Sequence, residues 1–180
     1  MSGENPLPNL WLLSDERNDA GLEAALARLP TGSGFVYRHY HLGRVERRGR
    51  FDKLKAIAHE HGHRVILARG DSAQLEDWGA DGLYTGTAEI AGPRPEGYLW
   101  LTSAHNGDEL RAANEAGADA VFLSPVFPTR SHSGATTLGV FGFSVLAQQS
   151  LIPVIALGGM TAERAQELGW PRWGAIDGLS

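Results

Sequence analysis

Short apolar runs alternate with longer amphipathic stretches along almost the whole chain, a pattern that predicts parallel strands separated by helices. Residues 10–13 lead to a helix over 21–28, and residues 35–37 to a helix over 51–60. Residues 64–67 precede a short helix over 72–78, and 82–84 run into a Pro/Gly loop at 91–97. The pattern resumes with 98–101 and a helix over 107–116, then 120–123, a long loop and a helix around 143–149. Residues 154–157, a helix over 161–168 and a final run around 173–179 close the count. Eight strands with helices between most of them suggest an α/β fold of the (β/α)8 TIM-barrel type. At 180 residues the barrel has to be compact, with a reduced fourth helix and no eighth. A doubly wound open sheet is the competing architecture, because counting strands does not show closure.

The punctuation between elements repeats. Gly79-Ala80-Asp81-Gly82 and Gly117-Ala118-Asp119-Ala120 each end a helix with glycine and lead directly into a strand. Two other runs, Phe122-Leu123-Ser124-Pro125-Val126-Phe127-Pro128-Thr129 and Ile152-Pro153-Val154-Ile155-Ala156-Leu157-Gly158-Gly159-Met160-Thr161, stop abruptly in small, polar or proline residues. Buried parallel strands look like this where their C-terminal ends open into ligand-binding loops. Gly158-Gly159 before a helix start at Thr161 suits a bound phosphate, since glycine lets the backbone approach an anion. A tight strand-to-helix turn is the alternative reading of the same glycines.

Composition narrows the function classes. A formal net charge of −5 argues against general affinity for nucleic acid or acidic membranes. The basic run Arg44-Val45-Glu46-Arg47-Arg48-Gly49-Arg50 falls between a strand and a helix and is the one local charge bias. No apolar run approaches the roughly 18–20 residues that span a bilayer. The first residues lack the basic and apolar regions of a secretory signal, so a cytoplasmic location is expected. The absence of cysteine excludes disulfides, thiolate metal sites and cysteine nucleophiles. A single domain over 1–180 is expected.

At Pro125-Val126-Phe127-Pro128-Thr129 and Ile155-Ala156-Leu157-Gly158-Gly159-Met160-Thr161 the chain resembles the thiamine-phosphate synthase and thiazole tautomerase family. Leu12-Leu13-Ser14-Asp15, Gly79-Ala80-Asp81-Gly82 and Thr102-Ser103-Ala104-His105 extend the resemblance over most of the sequence. It implies a (β/α)8 barrel taking small phosphorylated pyrimidine and thiazole substrates, with possible self-association. In the synthase reaction hydroxymethylpyrimidine diphosphate loses pyrophosphate with Mg²⁺ assistance, and the thiazole phosphate nitrogen captures the pyrimidine.

The resemblance assigns a thiazole-phosphate cradle to Gly158, Gly159, Gly178 and Ser180, with Thr129, Arg130 and Ser131 as further phosphate contacts. His132 stands where the family has lysine, replacing a permanent cation with one largely neutral at pH 7. Arg38 survives from the family's Gln-x-Arg-x-Lys on the second strand as a diphosphate clamp; Val36 and Tyr40 replace the other two. Ser103 would touch the pyrimidine, and His105 is a further substrate contact or a structural donor. The Asn-Asp pair that binds magnesium after the third strand is replaced by Arg69-Gly70. Asp71, one residue on, and Glu89 are the remaining candidates for Mg²⁺. Pro125 occupies the position of the tautomerase histidine. Three functions stay open. They are a divergent synthase, a relative acting on a thiazole phosphate through His39, His41, His105 or His132, and a non-catalytic barrel that binds a phosphorylated ligand.

Overall fold

Eight parallel strands close on themselves in sequence order in the computed structural model, which describes residues 6–180. They are β1 (Leu10–Leu13), β2 (Gly34–Tyr37), β3 (Arg64–Ala68), β4 (Gly82–Thr85), β5 (Leu99–Ala104), β6 (Ala120–Leu123), β7 (Val154–Ala156) and β8 (Trp173–Ala175). Closure is made by β8 pairing with β1, in the register Leu12↔Ala175. The barrel is therefore the architecture, and the open sheet is not.

Period-2 alternation sorts the side chains into layers. Trp11, Leu13, Val36, Ile66, Leu101, Phe122 and Ile155 pack together inside the cylinder. Leu12, Phe35, Tyr37, Val65 and Leu67 point outward, onto helices α1 (Leu22–Arg28) and α2 (Arg44–Glu60). Trp11 fills the interior where Gly34 sits opposite it in register. A Cβ on Gly34 would stand 2.1 Å from the indole, so only glycine fits there.

Helices α3 (Ser72–Trp78), α4 (Gly107–Ala116), α5 (Gly139–Gln149) and α6 (Ala162–Leu168) complete the outer layer. The fourth connection holds only the 3-10 turn Thr87–Glu89, the reduction that the chain length required. β8 is followed by the 3-10 turn Asp177–Leu179, and no α-helix follows it among the described residues. No helix is long and apolar enough to cross a membrane among them.

Two stretches differ from expectation. The basic run 44–50 is not a connecting segment but the first turns of α2. Its later cations are individually satisfied: Arg48 by Asp52 and Asp77, Arg50 by Asp19 and Glu23. Arg47 donates to the carbonyls of Arg38 and Ala68 at 3.0 and 2.6 Å and lies over the Tyr37 and Trp78 rings. These partners outweigh the unfavourable placement of cations at a helix N-terminus. Helix α5 likewise starts four residues earlier than its pattern predicts, at Gly139.

The repeated glycine–aspartate device works identically in both places. Gly79 and Gly117 end α3 and α4 in the left-handed region, at φ +65° and +70°. Asp81 then accepts the Val65 N–H at 2.7 Å, and Asp119 accepts the Trp100 N–H at 2.7 Å. Each carboxylate ties the entry to its own strand to the start of the preceding strand, its neighbour in the sheet.

Candidate functional site

The C-terminal ends of β6, β7 and β8 surround a cavity of about 330 Å³. Its floor and one wall are loop backbone: Ser124 and Pro125 after β6, Leu157, Gly158, Gly159 and Met160 after β7, and Ile176, Asp177 and Gly178 after β8. Thr129, Arg130 and Ser131 form the opposite side, and Arg38 reaches in from the end of β2. Arg164 of α6 also lines it.

Glycine is required at the close contacts. Gly158 and Gly159 have φ of +98° and +61°, and a Cβ on either would press into the β6 loop. The distances would be 2.6 Å from Pro125 Cα and 2.4 Å from the Pro128 carbonyl oxygen. A Cβ on Gly178 would lie 2.2 Å from the Met160 carbonyl oxygen, so the three loops meet backbone to backbone. The N–H groups of Gly158 and Gly159 find no acceptor among the described residues, although both carbonyls are used. Two free donors at a cavity wall suit an anion.

The charge balance at the cavity is positive. Arg164 donates to the Gly159 carbonyl and lies 5.0 Å from the Phe127 ring centroid, with no carboxylate partner among the described residues. Arg38 is paired with Asp15 at 3.0 Å, and Arg130 stands 3.6 Å from Asp177. Arg17 crosses the rim, donating to Ser131 Oγ at 3.0 Å and lying 3.6 Å from Asp177. Thr161 accepts the Arg164 N–H at 3.3 Å, which takes one donor of the α6 N-terminus out of use. The polar groups left to a ligand are thus the glycine N–H pair, the hydroxyls and the guanidinium groups.

The structure brings together Arg38, Thr129, Arg130, Ser131, Gly158, Gly159 and Gly178. Other sequence candidates lie elsewhere. The Ser180 hydroxyl turns to the Ile176 carbonyl at 2.9 Å. Ser103 is buried near the top of β5, against the Tyr84 hydroxyl. His105 is bonded through Nδ1 to Glu109 at 2.8 Å. The side chain of His132 lies outside the described residues.

The two magnesium candidates sit on separate elements. Asp71 is exposed and caps α3, accepting the Gln74 N–H at 2.8 Å in a reciprocal capping box. Glu89 lies at the surface with its carboxylate beside Gly86. Arg69, two residues before Asp71 and at φ +51°, holds its guanidinium 4.0 Å from the Tyr40 ring centroid. No group of three or more His, Asp or Glu side chains suited to a metal occurs among the described residues.

Sequence reasoning passed over Arg164, Asp177 and Arg17. Arg164 lies three positions past Thr161, and that spacing after a glycine pair was the available signal. Asp177 and Arg17 become site residues only through closure of the barrel, which sets the β1 and β8 loops side by side.

Comparison with known proteins adds the family. The family model described as thiamine monophosphate synthase matches residues 10–170. A thiamine-phosphate synthase of Synechococcus sp. is 30% identical over an alignment covering 94% of this chain and 52% of that protein. One from Lactococcus lactis is 30% identical over 123 residues, 64% of this chain and 56% of its own length. The chain thus spans little more than half the length of these curated relatives. The fold of a thiamine phosphate pyrophosphorylase from Pyrococcus furiosus superposes with a TM-score of 0.75 at 21% identity, covering 93% of this chain and 85% of that one.

Proposed function

Because this chain belongs to the thiamine monophosphate synthase family, we propose that it is a divergent synthase joining hydroxymethylpyrimidine diphosphate to a thiazole phosphate. The cavity between the β6, β7 and β8 loops holds the thiazole by its phosphate. The observation that carries this reading is a cavity lined by Arg38, Arg130, Arg164 and two glycines whose N–H groups find no acceptor among the described residues. Phosphate sites formed by the loops after the seventh and eighth strands suit the architecture.

In the reaction the pyrimidine methylene–oxygen bond breaks, and pyrophosphate leaves with the electron pair. The thiazole nitrogen then supplies the electrons of the new carbon–nitrogen bond. Arg38, fixed by Asp15 on the wall nearest β2, absorbs charge that develops on the leaving group. Ser103, at the end of β5, lies on the side left for the pyrimidine. Magnesium has no assigned role in these steps, because the Asp71 carboxylate caps α3 and Glu89 lies beside Gly86 on a separate element.

A second reading has its own support. Arg69-Gly70 stand where the family carries its Asn-Asp pair, with Arg69 stacked on Tyr40, and Pro125 stands where the tautomerase carries histidine. A barrel that binds one phosphorylated heterocycle without joining it to another would need neither. The test is pyrophosphate release from purified protein given both precursors, with and without Mg²⁺. Release supports the synthase. Binding of thiazole phosphate without release supports the second reading, and neither binding nor release overturns both.

A further inference from the structure

We propose that Ser14, His39 and Asp19 form a hydrogen-bond relay that positions Arg38 on the cavity wall. The proposal rests on the reading of that cavity as an anion site, and makes its affinity depend on residues that do not touch the ligand.

His39 follows β2 with φ +36° and is 1% exposed. A non-glycine residue in this region is uncommon and has to be held there by its surroundings. Its ring stacks on Tyr37 at 4.8 Å and 16°. Nε2 lies 2.7 Å from Asp19 Oδ1, and Nδ1 lies 2.8 Å from Ser14 Oγ. Ser14, fully buried, accepts the Arg38 N–H on the same oxygen at 2.7 Å. Its carbonyl accepts Arg38 Nε at 2.8 Å, and the neighbouring Asp15 takes Nη2 at 3.0 Å. Arg38 is therefore held at three points by one dipeptide.

The direction of each proton follows from the ends. Burial raises the Asp19 carboxyl, but the bonds from His39 and Arg50 outweigh it and hold it below the usual carboxylate range. An ionised carboxylate only accepts, so His39 Nε2 carries hydrogen. Burial holds the His39 imidazole below the usual histidine range, although Asp19 pulls the other way. In the neutral ring Nδ1 accepts, and it takes the single proton of Ser14. The Ser14 lone pairs are then free for the Arg38 N–H. Protonation at Nδ1 would reverse its bond and leave the Ser14 proton without an acceptor in a buried site.

The charged neighbourhood of this ring is complete enough to set its pH response. Asp19 faces it from the turn after β1, and Arg50 of α2 holds Asp19 at 2.7 Å. Glu23 of α1 holds Arg50, and the His41 ring lies 5.1 Å away. Acidification below the ordinary histidine range should therefore loosen Arg38 and weaken anion binding.

The experiment has a ligand-free arm and a sulfate arm, sulfate being a dianion throughout the range. Nitrogen-15 NMR of the full chain at pH 7 should show His39 neutral with hydrogen on Nε2. Ser14→Ala should speed exchange of the Arg38 amide and weaken sulfate binding by about fivefold, the value of one hydrogen bond. Wild-type sulfate affinity should fall as the pH is lowered below the ordinary histidine value of 6.5, and His39→Asn, which tolerates a positive φ, should be weaker and flat with pH. A charged or Nδ1–H ring at pH 7 overturns the relay. So do folded variants that keep Arg38 protection and sulfate affinity within about twofold of wild type. If a variant does not fold, the wild-type tautomer and pH profile decide. Absence of sulfate binding to wild type at any pH refutes the anion-site reading, and the NMR arm then judges the relay alone.

Discussion

Arg130 Nε stands 3.6 Å from Asp177 Oδ2 at the cavity mouth, and Arg17 approaches the same carboxylate oxygen at 3.6 Å from the other side. Two guanidinium groups from the β6 and β1 loops thus converge on one side-chain anion that itself lines the cavity. On the proposed reading of the cavity as an anion site, Asp177 is the side-chain anion with which a phosphate would share these guanidinium groups. A ligand phosphate has to compete with it for Arg130, whose side chain is 76% exposed and free to turn inward. Asp177→Asn should therefore tighten sulfate or phosphate binding, by about threefold to tenfold given surface screening. Exposed ion pairs contribute little to folding, so the melting temperature should hardly move. Titration calorimetry reads the affinity, and a weaker variant would mean that Asp177 organises the site instead of competing for it.

The glycine pair gives a sharper test. Gly159→Ala drives a Cβ against the Pro128 carbonyl in a backbone at φ +61°, and Gly158→Ala drives one against Pro125. Both should lose about 1–3 kcal/mol of stability and displace the β6 loop from the cavity. Gly169, at φ +64° with nothing within 4 Å of a built Cβ, supplies the control. Gly169→Ala should cost about 1 kcal/mol from the backbone alone and leave sulfate affinity unchanged. Equal loss of affinity in all three would assign the effect to global softening and not to the seat.

Asp71 separates a structural from a metal role. Its carboxylate caps α3, and the Gln74 side chain returns the bond to the Asp71 N–H at 3.3 Å. Asp71→Ala should lower stability by about 1 kcal/mol, the usual loss for a cap. The Mg²⁺ dependence of pyrophosphate release should be the same in both proteins. A shift in that dependence, with the folding loss corrected by Asp71→Ser, would return Asp71 to the metal site.

Strand ends and glycine turns were legible because each is set by neighbours close in sequence. Gly79-Ala80-Asp81-Gly82 and its repeat at 117–120 announced a helix stop and strand start, and the structure adds only the destination of the aspartate. The cavity's glycine pair was legible for the same reason. The start of α2 was not: besides the contact of Arg48 with Asp52 four residues on, Arg47, Arg48 and Arg50 become acceptable near a helix N-terminus through partners 9 to 31 residues away. The Ser14–His39–Asp19 chain was invisible for a stronger reason. It joins the ends of β1 and β2 through a positive-φ histidine, and neither that conformation nor the contact is encoded in local periodicity.

Acid unfolding should resolve two separate steps in this region. Glu23 is held down to about 2, first by the hydrogen bonds from Arg50, against burial, which acts the other way, and then by Lys53. The unfolded chain titrates this carboxyl near 4.5, so between those values the unfolded state binds the extra proton. Stability from Glu23 is fully present above pH 4.5 and is lost as pH falls toward 2. His39 acts at higher pH with the same sign. Burial lowers its pKa from the ordinary 6.5, so the unfolded chain protonates first and stability begins to fall below that value. Glu23→Gln should make the fall of the melting temperature below pH 4.5 shallower while keeping the decline that starts near 6.5, whereas His39→Asn should make only the upper decline shallower, since buried His63 contributes to it with the same sign. Melting curves between pH 3 and pH 8 read both; a single transition unchanged by either substitution would show that these groups do not govern acid stability.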